Sequence, residues 1–315
     1  MNLNILAMAN NYDTIFQNCN TEEQIKKVYR SYAKLAHPDK GAKPELMVKL
    51  NGFQEAALAK LNVKKNQLIV VDTEKFKYQY KRNFELGIQY FGNNYVLYEI
   101  PKDKTKYLEN FKANYKLNYP NQENQTVNER FFPKFTELET EEYLYLKILK
   151  TPEVFCLADV LTQEKTIGIK HIAWITTRLC NLLCLLEFNN LTHNGINVNN
   201  CLVSIEHHSV VLSGWWYAKK ENEKMLGAPI DVYNKMSFLT KTNKLANKAT
   251  DFNSIKELIK VLNGGSMSDL PEPIKDWLQT EHKTAIELYE TWETTLIKSF
   301  GARKFIKWNF KPNWL

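Results

Sequence analysis

No Cys-x-x-Cys pair occurs in this 315-residue sequence, and its cysteines are few and odd in number: Cys19, Cys156, Cys180, Cys184 and Cys201. A disulfide-stapled scaffold is not expected, and the usage fits a reducing compartment. Cys180 and Cys184 stand four apart on an apolar helical stretch with no His or Cys cluster to match them. They read as buried small hydrophobes, and no metal site is expected. Phosphate-binding glycine loops are also missing: Gly87 and Gly92 stand alone, and Asn93 after Gly92 excludes a P-loop. There is no basic tail, since the lysines are scattered. The net charge of +7 is too small to argue for nucleic acid by itself, though it suits a protein that meets an acidic partner. The opening MNLNILAMAN lacks the basic flank of a signal peptide. No stretch is expected to reach the apolar length of a membrane span, so a soluble cytoplasmic chain without a membrane partner is expected.

What is present is material for cores: 44% hydrophobic and 12% aromatic residues, in a length that suits two domains. Residues 12–60 read as three helices. A short one covers Tyr12 to Phe16. The second runs from Glu22 to Ala36, with Thr21 as its expected N-cap and an apolar stripe of Ile25, Val28, Tyr32 and Leu35. Lys26, Lys27, Arg30 and Lys34 fall largely off that stripe. Pro38 stops the helix, and a third starts near Glu45, with Met47, Leu50, Phe53 and Leu58 inward. A polar connector follows, with a short strand at Leu68–Val71. From about 76 the texture is strand-like, with a hairpin around Gly92-Asn93-Asn94. Asn114 to Asn128 reads as a loop. After Pro152 the chain turns helical, most strongly from His171 to Phe188, then over 251–262, 273–279 and 281–300. The expected domains are 1–65, a connector at 66–75, and 76–315.

His37-Pro38-Asp39-Lys40 joins the basic helix to the third helix. With Tyr12-Asp13-Thr14-Ile15-Phe16, with Ile25, Tyr29, Ala33 and Leu35, and with Met47, Leu50 and Phe53, this segment resembles the J-domain family over about residues 11–60. The resemblance implies an all-α helical hairpin that docks on a DnaK-type (heat-shock protein 70 family) chaperone and stimulates its ATP hydrolysis. The docking residues it implies are His37, Pro38, Asp39, Lys26, Lys27, Arg30 and Lys34, the four cations facing an acidic surface. Two positions depart from many relatives: Ser31, where a second basic residue is common, and Ala36, where an aromatic is common. The Gly/Phe-rich linker and four-cysteine zinc repeat of the best-known J-proteins are absent, so their way of binding clients cannot be carried over.

A second pattern follows the long helix. His193-Asn194-Gly195-Ile196-Asn197-Val198-Asn199-Asn200 leads into Cys201-Leu202-Val203, and Val210-Val211-Leu212-Ser213-Gly214-Trp215-Trp216 follows a short turn. This order of helix, His-led loop, strand, turn and strand resembles the catalytic segment of protein kinases, with Asp251 heading the matching central helix. The resemblance implies a bilobal α+β fold over about 76–300. Phosphoryl transfer needs a carboxylate at the attacking hydroxyl, a metal-holding carboxylate, and a lysine on the phosphates. The first position holds Gly195, the second Ser213 or Gly214, and the lysine is expected where Glu99 stands. No catalytic residue and no cofactor are therefore expected.

The combination, with Phe155-Cys156-Leu157-Ala158-Asp159-Val160-Leu161 and Gly214-Trp215-Trp216-Tyr217-Ala218, is similar to a group of phage and bacterial J-domain proteins described as molecular chaperones. A phage-encoded member would work in the host cytoplasm. The expected activity is that of a co-chaperone, not an enzyme, with residues 76–315 recruiting a client or partner protein. The competing reading is a residually active kinase or ATP-binding regulator targeted by a J-domain. The closing stretch interleaves Phe305, Trp308, Phe310 and Trp314 with Lys304, Lys307 and Lys311. Such a pattern can stack nucleobases, but more often packs on its own domain, so nucleic acid is not an expected partner.

Overall fold

The computed structural model describes residues 3–17, 19, 22–64 and 67–312. The expected cap Thr21 and the expected aromatic Trp314 lie outside them. The chain divides into two compact units between Lys81 and Arg82, here unit 1 and unit 2.

Unit 1 opens with α1 (Leu3–Met8) and α2 (Asp13–Phe16), followed by α3 (Glu22–Ala36), a 3-10 turn (Pro38–Lys40) and α4 (Pro44–Lys64). The bounds of α3 are those its apolar spacing predicts. Ile25, Tyr32 and Ala36 are buried against Leu50 and Ala57 of α4 and against Leu6, Ile15 and Phe16. Leu35 is exposed, against expectation. At about 100° per residue it falls on the margin of the stripe, and Ala36 takes the inward place. Two polar contacts fasten α4. The Tyr29 hydroxyl donates to Asn51 Oδ1 (2.8 Å), and Lys49 Nζ donates to the Ala7 carbonyl (2.8 Å). The expected connector at 66–75 instead holds most of a hairpin, β1 (Gln67–Val71) and β2 (Glu74–Tyr78), in register from Gln67↔Tyr78 to Val71↔Glu74.

The division falls within β3 (Tyr80–Phe84), and unit 2 continues with β4 (Gly87–Phe91), β5 (Tyr95–Pro101), α5 (Thr105–Asn114) and α6 (Gln122–Asn128), then β6 (Phe135–Glu139) and β7 (Tyr143–Leu149). The strands form one antiparallel sheet in the order β3-β4-β5-β7-β6. Gly92 N–H bonds the Tyr95 carbonyl (3.0 Å) to close the expected hairpin. The stretch read as a loop carries α6, because Asn121 caps it by accepting from Asn124 N–H (2.8 Å).

The helical part follows: β8 (Val154–Cys156), α7 (Leu157–Glu164), α8 (Ile169–Phe188), β9 (Leu191–Thr192), β10 (Cys201–Ser204), β11 (Ser209–Leu212), β12 (Lys219–Lys220), α9 (Ile230–Lys235), α10 (Phe238–Asn243), α11 (Lys248–Leu262), α12 (Glu272–Gln279) and α13 (Ala285–Phe300). The last helix starts later than the expected 281. Thr284 caps it by accepting from Glu287 N–H (3.2 Å), and the Glu287 carboxylate takes Lys283 N–H (2.8 Å).

One expectation is corrected by α8. Its 20 residues have a mean hydropathy of 1.2 in the best window, long and apolar enough to cross a bilayer. Yet 56% of that window is buried, and α8 packs on α11 and α13. A helix apolar nearly all round is what the centre of a large helical core requires.

Candidate functional site

In unit 1, Lys26, Lys27, Arg30 and Lys34 are all exposed. At about 100° per residue they span about 100° of the helix, opposite the buried Ile25, Tyr32 and Ala36. The helix thus has one apolar and one cationic side. At its end His37 is extended (φ −69°, ψ 130°) and Pro38 sets the 3-10 turn. Gly41 N–H closes the turn on the Pro38 carbonyl (2.8 Å). The left-handed backbone at Gly41 (φ 82°) is where a glycine costs least. Asp39 N–H lies 3.3 Å from His37 Nδ1, and the Asp39 carboxylate lies 3.4 Å from the same nitrogen. The side chains of His37 and Asp39 are 52% and 86% exposed. Both therefore present polar groups to solvent at the end of the helix.

In unit 2 the loop His193–Asn200 runs between β9 and β10. Its start is pinned from below by Asp251 of α11. His193 N–H reaches Asp251 Oδ2 (2.6 Å) and Asn194 N–H reaches Oδ1 (2.8 Å). Burial raises the Asp251 carboxyl to about 7, with the two N–H groups holding it down in part. The His193 ring is fully buried, edge-on to Trp215 with centroids 5.2 Å apart. Burial pushes it down to about 3, only partly offset by the Ser213 backbone, and neither ring nitrogen has a well-formed hydrogen bond.

Asn197 organises the rest of the loop. Its Oδ1 accepts from Asn199 N–H (3.0 Å) and Asn200 N–H (3.1 Å), while its Nδ2 donates to both oxygens of Asp231 (3.1 Å each). Asn200 Nδ2 closes the turn on the Gly195 carbonyl (2.8 Å). Its own carbonyl accepts from Ser213 N–H (2.8 Å) and Ser213 Oγ (3.0 Å). The structure therefore brings His193, Gly195, Asn200, Ser213 and Gly214 together.

The two empty carboxylate positions differ in kind. A side chain at Gly195 would meet its neighbours at ordinary contact, 3.4 Å from His193 Nδ1 and 3.5 Å from Asn200 Nδ2. One at Gly214 would fall 2.3 Å from Asn200 Cγ and Oδ1, on a left-handed backbone (φ 77°). Asn200 occupies the space that a metal-holding carboxylate would need.

Glu99 needs a correction. Its carboxylate takes the hydroxyls of Tyr90 (3.3 Å) and Tyr145 (3.0 Å). Strand alternation turns Tyr98, one residue earlier, toward Ser213, with its hydroxyl 3.4 Å from Ser213 Oγ. Burial raises the Tyr98 phenol to about 12. The nearby Lys102 pairs with Glu139 (2.8 Å), and Lys104 bonds the Glu85 carbonyl (3.1 Å).

The surroundings are filled by rings. Trp215 and Trp216 are buried. Trp216 lies 5.2 Å from Tyr98, 5.1 Å from Phe111 and 6.1 Å from Phe84, centroid to centroid. The buried Asn110 of α5 fixes this segment by donating Nδ2 to the carbonyls of Trp216 (3.0 Å) and Ala218 (2.8 Å). Arg82 of β3 crosses to the helical part. Its guanidinium meets Asn199 Oδ1 (3.0 Å) and Asp159 Oδ2 (3.4 Å), over the ring of Phe91 (4.8 Å). The carboxylates that the loop could recruit are thus engaged: Asp251 by backbone, Asp231 by Asn197 and Asp159 by Arg82. Sequence reading missed Tyr98, Arg82, Asn110 and Asp231. Only Tyr98 carried a signal, the two-residue period of its strand.

No family model matches the chain, and no curated protein sequence matches it. Solved structures do match. One titled "Structure of vaccinia related kinase 3" has a TM-score of 0.53 at 15% identity, over 74% of this chain and 92% of that one. Likeness at that identity concerns the fold alone: the chain carries a kinase-like α+β fold, preceded by N-terminal helices.

Proposed function

We propose that the chain is a J-domain co-chaperone: unit 1 docks on a DnaK-type chaperone and stimulates its ATP hydrolysis, and unit 2 is a catalytically silent kinase-like module that recruits a client or partner protein. The observation that carries this is the exposed His37-Pro38-Asp39 turn at the end of a helix whose buried and cationic faces are opposed. The cations supply long-range attraction to an acidic surface. The turn supplies a rigid pair of polar groups at a fixed distance from them. For unit 2, the support is the absence of a carboxylate at Gly195, the closure of the Gly214 position by Asn200, and the Tyr98–Ser213 contact where a lysine is needed.

The test is single-turnover ATP hydrolysis by a DnaK-type chaperone with the full chain added. His37→Gln should reduce the stimulation at least tenfold with an unchanged melting temperature, because the ring is half exposed and unpacked. Equal stimulation by both proteins would remove the proposal. Label transferred from ATP to protein by unit 2 would favour the residual-kinase reading instead.

A further inference from the structure

Past α13 the chain has neither helix nor strand through residue 312. Gly301, at φ 71°, ends the helix, and the chain then runs extended across the outer face made by α7, α8 and the β10–β11 turn. It is held there side chain by side chain. Phe305 stacks on His208 (centroids 4.4 Å), and His208 stacks in turn on Trp174 (4.7 Å, 4° between planes). Trp308 stacks on His171 (4.6 Å, 13°) and donates Nε1 to both oxygens of Glu164 (3.1 and 3.2 Å). Phe310 meets Phe155 edge-on (5.3 Å), and Gln163 Nε2 donates to the Lys311 carbonyl (2.7 Å). Lys304, Lys307 and Lys311 point outward and are exposed.

That is how a bound peptide lies on a receptor. An anchor is buried (Trp308, 8% exposed), a second ring is laid flat and largely open (Phe305, 73% exposed), and a carbonyl is read by a side chain. The receiving surface is held in part by contacts outside the segment, although the Ile306 backbone also bonds His208. His171, Trp174 and Arg178 share one face of α8 at three- and four-residue spacing, and Arg178 Nε fixes the turn by donating to the His208 carbonyl (3.1 Å). Trp174 Nε1 lies 3.4 Å from His171 Nδ1 and orients that ring. Burial lowers both imidazoles, so they present neutral flat faces.

We infer that this aromatic face is a docking site for extended segments of another polypeptide bearing aromatic residues at positions n, n+3 and n+5 and lysines at n−1, n+2 and n+6, and that Phe305–Lys311 occupies it in cis as a competitor. The chemistry of the partner is that of the segment already seated there. Tethering gives that segment a millimolar effective concentration, so a foreign segment binds well only once the strap is weakened. The inference names the chemistry of the partner recruited by unit 2 and rests on the reading above only in taking that partner to be a client. Its test involves no chaperone, so the two can fail separately.

The probe is a fluorescein-labelled peptide copying residues 304–312, followed by anisotropy. The full-length Trp308→Ala chain should bind it at least tenfold more tightly than the parent, and tryptic cleavage after Lys304 and Lys307 should speed up in that variant. Adding Trp174→Ala to the receiving face should return binding to the parent level. If Trp308→Ala fails to fold, as judged by melting, the Phe305→Ala/Phe310→Ala variant replaces it, with the same expectation. Equal affinity for parent and variant, or affinity that survives Trp174→Ala, would overturn the inference. So would a Trp308→Ala chain that pairs with parent chains by accepting their straps, since the face would then be a self-association site.

Discussion

Gly214 and Gly195 separate two ways of lacking a carboxylate. Gly195→Asp meets no close contact at its Cβ and costs chiefly the burial of a carboxylate, whereas Gly214→Asp must also displace Asn200 and adopt a left-handed backbone. The Gly214→Asp protein should therefore melt well below the parent, and the doubly substituted protein should still transfer no radiolabel from ATP. Transfer by the double variant would show that the carboxylates alone were limiting, against the place given to Tyr98. His193 makes a pH prediction. Burial holds its pKa near 3, below the ordinary 6.5, so the folded state disfavours the charged ring. The stabilising effect is complete above about pH 6.5 and is lost as pH falls toward 3. Asp251, raised from 3.8 to about 7, works in the opposite sense, weakening the fold as pH rises through that interval. In His193→Gln the Asp251 effect remains and the acid loss shrinks. Between pH 4.5 and pH 7 the two effects are opposite and of similar size, so they largely cancel in the parent. Denaturant melts at those two pH values should therefore differ more for this variant, which should be the less stable at pH 7; an equal or smaller difference would contradict the assignment.

Among the elements, α3 carries an apolar and a cationic face on opposite sides, and the two can be tested separately. Leu50→Ala removes a fully buried contact opposite α3 and should destabilise unit 1 by about 2–5 kcal/mol. Arg30→Glu touches no core residue. It should leave the melting temperature within about a degree and weaken chaperone stimulation, and the weakening should fade as salt rises, since exposed charges are screened within about 10 Å at 0.1 M. A stimulation independent of salt would argue against electrostatic docking. The bounds of α3 were legible because an amphipathic period and Pro38 both mark them. The hairpin around Gly92 was legible for a similar local reason. The role of Glu99 was misread because a strand's facing depends on a one-residue register that only its neighbours fix: Ile88 and Tyr145 share its face, and Gln89 and Leu146 share that of Tyr98. Arg82 with Asp159 and Asn199 was not legible at all. Those contacts span 77 and 117 residues, and nothing local marks their ends.

At the scale of the whole molecule, a small helical unit with an exposed polar turn precedes a kinase-like unit whose central loop is locked by its own asparagines, aspartates and tryptophans. The account assigns stimulation of a chaperone's ATPase to the first and recruitment without chemistry to the second. One measurement reads both assignments. The full chain is mixed with a DnaK-type chaperone and γ-labelled ATP, and label is followed into inorganic phosphate and into protein. The account predicts faster release of inorganic phosphate in the presence of the parent chain, no acceleration with His37→Gln, and no label on protein that depends on Asn200. Unchanged phosphate release, or protein labelling that Asn200→Ala abolishes, would contradict it.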